Sequence, residues 1–151
     1  MLFLIFSVIL FNLIAILIPK RMSQIEILTT TLFSLYFETI TNVFLDLKYD
    51  WYGYFTKGVN WETILYLFGI FPAVSIVFLN SFPYHKKLKS KIYYLFWWVV
   101  FAGIYETLFV WSKTFYYNGW NLWYSIILYP FIYLTLVIFH QYTRYLLKKT
   151  C

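Results

Sequence analysis

One cysteine, two histidines and six acidic residues are all that 151 residues offer to the commonest kinds of site chemistry. The cysteine is Cys151, the last residue, so no disulfide within the chain and no cysteine metal cluster can form. A prenylation box would place that cysteine fourth from the end, which this sequence does not do. No Ser/His/Asp arrangement, glycine-rich phosphate loop or metal-spaced histidine pair is present, and no cofactor is specified. Charge is scarce as well. Only 12% of residues are charged, against roughly a quarter in an ordinary soluble domain. The net charge of +6 does not indicate nucleic acid, because the lysines sit at the ends of apolar runs and form no basic face.

What is present is apolar and aromatic: 62% hydrophobic, 26% Phe, Trp and Tyr, with a mean hydropathy of +0.69. This is the composition of a multi-pass protein of the cell membrane, with the lipid bilayer as its first partner. Apolar segments at about 2–18, 25–46, 61–80, 91–112 and 120–143 are each long enough to span roughly 30 Å as a helix. The expected fold is therefore all-α: a single transmembrane domain over residues 1–151, built as a bundle of five helices. Ser23-Gln24-Ile25-Glu26 has the form of a capping box opening the second helix. Asn60, with Glu62 in the first turn, is the expected cap of the third. Pro72 and Pro130 fall inside the third and fifth helices, where kinks are expected.

Basic residues give the orientation. Lys20, Arg21, Lys86, Lys87, Lys89, Lys91, Arg144, Lys148 and Lys149 share one side of a five-helix chain, and only Lys48, Lys57 and Lys113 lie on the other. That bias predicts the N-terminus outside and the C-terminus inside. The first segment lacks a positive region before it, so it reads as a retained helix and not a cleaved signal. The loops "YDWYGYFTKGVNW" and "SKTFYYNGWNLWY" read as an aromatic belt at headgroup depth.

The second segment carries the most informative pattern. At 100° per residue, Thr31, Ser34, Glu38, Thr41, Asn42 and Asp46 share one arc, with Asp50 one turn further on. Leu32, Phe33, Tyr36, Ile40, Val43, Phe44 and Leu47 occupy the other side. Acids inside a membrane mark functional sites by default, since lipid exposure is too costly. Glu106 lies on the fourth segment beside Ala102 and Gly103, small residues that admit a neighbouring helix. Helix rise puts Glu38 and Glu106 level, each about 20 Å from the inner end, with Asn42, Asp46 and Lys113 continuing outward. Two such carboxylates share a proton, hold a cation, or pair with Lys48 or Lys113; a hydrogen-bonded contact between helices without a ligand is the plainer alternative. The candidate ligand-binding residues are Glu38, Asn42, Asp46, Glu106, Lys113, Lys48 and Asp50. His85 and His140 lie near the inner face, away from these acids, which argues against a His–carboxylate metal site. His140 is expected at the interface.

The stretches "FLDLKYDWYGYF", "KGVNW", "GIYE" and "FYYNGWNLWYS" together resemble a family of small, functionally uncharacterised polytopic membrane proteins of endospore-forming bacteria. That resemblance covers most of the chain and implies a membrane location without an activity. Its motif residues here are Asp46, Lys48, Tyr49, Tyr52, Gly53, Tyr54, Glu106, Tyr117, Asn118, Gly119 and Trp120. Separately, Asn42-x-x-x-Asp46-x-x-x-Asp50 is similar to part of the first aspartate motif of membrane prenyltransferases, where acids hold magnesium on a diphosphate. The usual extra Asp is replaced by Val43, and no second such motif exists. Two functions follow as expectations. The first is a non-enzymatic protein with an outward-facing polar cavity for a cation, proton or small polar ligand, working as a sensor, an assembly partner or a minimal transporter, alone or as a homo-oligomer. The alternative is a membrane-embedded enzyme acting on a lipid or isoprenoid, with magnesium as a possible requirement.

Overall fold

The computed structural model describes residues 1–58 and 61–150. Five α-helices run in chain order: α1 (Leu2–Leu17), α2 (Gln24–Asn42), α3 (Trp61–Ser81), α4 (Leu88–Trp111) and α5 (Leu122–Thr150). The segment ends read from hydropathy agree with these to within a few residues, apart from a longer C-terminal end of α5. The capping box is formed: the Ser23 amide donates to Glu26 Oε2 at 2.6 Å, and the Glu26 amide donates to Ser23 Oγ at 3.3 Å. Asn60 lies outside the described residues. The helical runs of α3 and α5 continue through Pro72 and Pro130.

Among the described residues three helices, α3, α4 and α5, are long and apolar enough to cross a membrane. With α1, a shorter apolar helix of 16 residues, and the striped α2, they give an all-α chain whose outer surface is hydrophobic. Phe6, Ile9, Leu13 and Ile16 are exposed along α1, and Ile127, Phe131, Ile138 and Tyr142 along α5. Soluble monomers rarely leave apolar surface on this scale uncovered.

Helix α3 packs against α1 and α2, and α5 packs against α2, α3 and α4. Gly69 brings α1 and α3 together: a Cβ there would stand 2.8 Å from Val8 Cγ2, and Asn12 Nδ2 donates to the Gly69 carbonyl at 2.6 Å. Aromatic rings join α4 to α1, with Phe3 against Phe109 at 5.1 Å and Phe11 against Tyr105 at 5.0 Å. The five helices thereby surround a common centre.

Two features were not expected from the sequence. Helix α2 does not continue as a regular helix; it widens into a π-turn over Val43–Lys48. A π-turn shifts the angular phase of the residues beyond it, so Asp50 leaves the stripe. It sits instead in a turn at φ 52°. Beyond it, β1 (Tyr52–Tyr54) pairs antiparallel with β2 (Phe115–Tyr117), in the register Tyr52↔Tyr117 and Tyr54↔Phe115. Each strand is entered through a left-handed residue, Asp50 or Lys113, and β2 is left through Gly119 at φ 93°. Glycine suits that last position because a side chain there would be strained. The ribbon ties the α2–α3 and α4–α5 connections together at one end of the bundle. Arg21, Asn80, Tyr84 and Arg144 meet at the other end, through the Arg21 amide to Asn80 Oδ1 at 2.7 Å and Arg144 over the Tyr84 ring at 4.6 Å.

Candidate functional site

A cavity of about 200 Å³ lies inside the bundle, lined by all five helices and by both strands. Glu38 and Glu106 both face it. Ser34, Thr41, Ser125 and several tyrosines supply further polar atoms, but most of the wall is aliphatic or aromatic. A polar cavity was expected; the observed one is amphipathic.

Helix α2 behaves as its stripe requires. Ser34, Asn42 and Asp46 are buried, while Leu32, Tyr36, Ile40, Val43, Phe44 and Leu47 are exposed on the opposite side. Phe33 departs from that side and stacks on Phe139 of α5 at 3.9 Å. Asn42 organises the α2 part of the site. Its Nδ2 donates to Glu38 Oε1 at 2.8 Å and to the Glu38 carbonyl at 2.9 Å, and its Oδ1 accepts from the Tyr52 hydroxyl at 3.1 Å. One side chain therefore fixes Glu38 and locks β1 onto α2.

Glu106 is surrounded by hydroxyl donors. Tyr117 of β2 reaches Oε1 at 2.5 Å and Ser125 of α5 reaches the same oxygen at 2.7 Å. The Tyr129 hydroxyl donates to Oε2. Ser125 is itself oriented by Trp120 Nε1, which donates to its Oγ at 2.8 Å. Three hydroxyl donors on two oxygens are the complement of a carboxylate, which accepts and does not donate. The partners Ser125 and Tyr129 were not singled out from the sequence, although their spacing of four on α5 puts them on one helix face. Gly103 of α4 does face α5 closely, with Ile126 as its neighbour, as the small-residue argument required.

The other expected site residues lie elsewhere. Lys113 is exposed in the turn before β2, and Lys48 is exposed over the rings of Phe44 and Tyr49 at 5.3 and 5.2 Å. Neither lines the cavity. Asp50 is held outside it by Lys57 Nζ at 2.5 Å and Asn118 Nδ2 at 3.1 Å. The hydrogen bond and charge of Asp50 push Lys57, which is fully exposed, above the ordinary lysine range. Asn42, Asp46 and Asp50 are thus not one convergent set. Among the described residues, no group of three His, Cys, Asp or Glu gathers at metal-binding distance.

The loop aromatics divide into two groups. Trp61 and Trp123 are exposed at 82% and 73%, as belt residues would be. Tyr52, Tyr54 and Phe115 are buried in the core, and Trp51 stacks on Trp120 at 5.5 Å. Reading both loops wholly as a belt is corrected on this point: the ribbon draws Tyr52, Tyr54 and Phe115 inward.

His140 also differs from expectation. It is fully buried, not interfacial, because α5 turns it toward α2 and the α3–α4 loop. Tyr84 Oη and His140 Nδ1 lie 2.5 Å apart, and His140 Nε2 lies 3.4 Å from Glu26 Oε1 without hydrogen-bond alignment. Arg144 Nε donates to the same Glu26 oxygen at 2.5 Å. Burial pushes the Tyr84 hydroxyl well above the ordinary tyrosine range, against the lowering effect of Arg144. Glu26 therefore combines its capping role with an ion pair. No protein-family model, curated protein or solved structure matches the chain.

Proposed function

We propose that the chain is a multi-pass integral membrane protein in which all five helices cross the bilayer, with the N-terminus outside and the C-terminus inside. In this reading the central cavity binds a cation, a proton or a small polar ligand reaching it from the ribbon end. The protein then serves as a sensor, an assembly partner or a minimal transporter. One observation carries the reading: two carboxylates from different helices, Glu38 and Glu106, line one cavity whose described lining contains no lysine, arginine or histidine. Uncompensated acid at that depth is expensive unless a proton or a cation balances it. The orientation is supported by the basic residues, nine of which fall at the Arg144 end of the bundle and three at the ribbon end. The residues of the family resemblance, among them Tyr52, Gly53, Tyr54, Glu106, Tyr117, Asn118 and Trp120, gather around the ribbon and the cavity beneath it. The alternative of a magnesium-dependent enzyme draws no comparable support, because the Asp50 carboxylate is already engaged by Lys57 and Asn118.

Two experiments test this. A reporter fused after Cys151 should read cytoplasmic, and a tag inserted near Thr56 should be accessible from outside; an external C-terminus sinks the five-span arrangement. Glu38→Gln and Glu106→Gln proteins should fold, yet lose any cation- or proton-dependent stabilisation seen in the parent. Unchanged responses in both variants would remove the carboxylates from the function.

A further inference from the structure

The cavity joins negative charge to aromatic rings set at several angles. Tyr54 and Phe115 are tilted by 56° with centroids 5.2 Å apart, and Tyr66 stands at 88° to Phe109 at 5.0 Å. These four rings all line the cavity, and aromatic faces attract cations. The two acids are not equivalent. Glu106 is occupied by three hydroxyls, those of Tyr117, Ser125 and Tyr129, whereas Glu38 has Asn42 and the Tyr54 hydroxyl as partners and faces the chamber.

An inorganic divalent cation needs six or more oxygen ligands, from the protein and from the water it keeps. A wall of rings and aliphatic side chains offers few, and the oxygens of Glu106 are already engaged. A substituted ammonium has different needs: one counter-charge, ring faces and apolar contact for its carbon groups. At about 200 Å³ the chamber is smaller than the ~300–1,000 Å³ of sites for drug-sized ligands, so its occupant is small. We infer that the cavity is a site for a small hydrophobic organic cation, an amine or quaternary ammonium compound. Its nitrogen lies against Glu38 and its carbon groups lie among Tyr52, Tyr54, Tyr66 and Phe115. This rests on the reading of the cavity as a ligand site and narrows it to one chemical class.

The test uses the full chain in lipid nanodiscs, with tryptophan fluorescence as the readout because Trp120 lines the cavity. The probes are benzyltrimethylammonium, its neutral carbon isostere neopentylbenzene, sodium, potassium and a pH series. Saturable binding of the ammonium is expected, at least about tenfold tighter than the isostere, a difference of about 1.4 kcal/mol. Glu38→Gln should weaken it by a similar factor; Tyr66→Leu should weaken it and Tyr66→Phe should retain it. The isostere comparison needs no variant, so a folding failure of Glu38→Gln leaves the test intact. Equal binding of the two isosteres, or ammonium binding indifferent to Glu38→Gln in a folded variant, overturns the inference. Glu38-dependent responses to sodium, potassium or pH without ammonium binding also overturn it, while sparing the broader cation-site reading. If no probe gives a Glu38-dependent response, both fail.

Discussion

Removing the Glu106 carboxylate should cost more than removing any single donor around it, and the order of the costs is the informative quantity. Glu106→Leu leaves the hydroxyls of Tyr117, Ser125 and Tyr129 without their acceptor inside the bundle. Each buried donor left unpaired costs about 1–3 kcal/mol in soluble proteins, whereas side-chain hydrogen bonds between membrane helices average only about 0.6 kcal/mol. For three donors the two scales bracket Glu106→Leu between about 2 and 9 kcal/mol. Glu106→Gln keeps one acceptor oxygen but sets an NH₂ donor against hydroxyls, which can rotate to accept; the expected cost is about 1–2 kcal/mol. Tyr129→Phe deletes one donor and leaves two, at about 0.5–1.5 kcal/mol. Ser125→Ala should exceed Tyr129→Phe, because Trp120 Nε1 loses its partner as well. Thermal unfolding in one detergent or nanodisc preparation would rank them, at roughly 2–4 °C per kcal/mol for a chain of this size. A leucine variant as stable as the parent, or more stable than the glutamine variant, would refute the network as a source of stability.

At the opposite end, Glu26→Gln should cost about 2–3 kcal/mol in chemical denaturation. That is below the loss for a fully buried pair, because Arg144 is 27% exposed and retains the Arg21 carbonyl. Gly69→Ala should destabilise by about 1–3 kcal/mol, since its Cβ meets Val8, and Val8→Ala should recover part of that loss in a double-mutant cycle. Phe in place of Trp61 or Trp123 should change thermal stability by less than about 0.5 kcal/mol, while Tyr52→Leu should cost about 1–2 kcal/mol through the lost bond to Asn42. A large loss at the exposed tryptophans with none at Tyr52 would reverse the division of the loop aromatics.

The parts of the molecule legible in the sequence are those set by short-range periodicity. Segment hydropathy placed five helices, Ser23 and Glu26 marked the start of α2, and helix phase put Glu38, Asn42 and Asp46 on one side of it. The same reasoning brought Glu106 to its small-residue face. What escaped depends on contacts far apart in the chain or on local departures from regular geometry. The Glu106 donors come from 11, 19 and 23 residues downstream, and Arg144 is 118 residues from Glu26. Three-residue strands show no alternation long enough to read, so Tyr52, Tyr54 and Phe115 passed for belt aromatics. The π-turn broke the phase that would have carried Asp50 onto the stripe. One signal was available and unused: Ser125, Tyr129, Tyr133, His140 and Arg144 recur at steps of four and seven along α5. That polar stripe marks its inward face.

That stripe also explains why similar acids play unlike parts at the two ends of the bundle. Helix α5 meets a glutamate at each end. Near its C-terminus it answers Glu26 with a guanidinium, supported by the Ser23 amide, so the charge is balanced within the protein. Near its N-terminus it answers Glu106 with Ser125 and Tyr129, which donate hydrogen bonds without supplying a counter-charge. Glu38 across the cavity adds a second acid, and the described lining holds no base. In a medium of low dielectric, hydroxyl dipoles offset part of the cost of burying charge, and a counter-charge offsets the rest. The Glu26 end therefore has no electrostatic need of a ligand. In the proposed function the cavity does, and a proton or a cation from outside the chain would meet it.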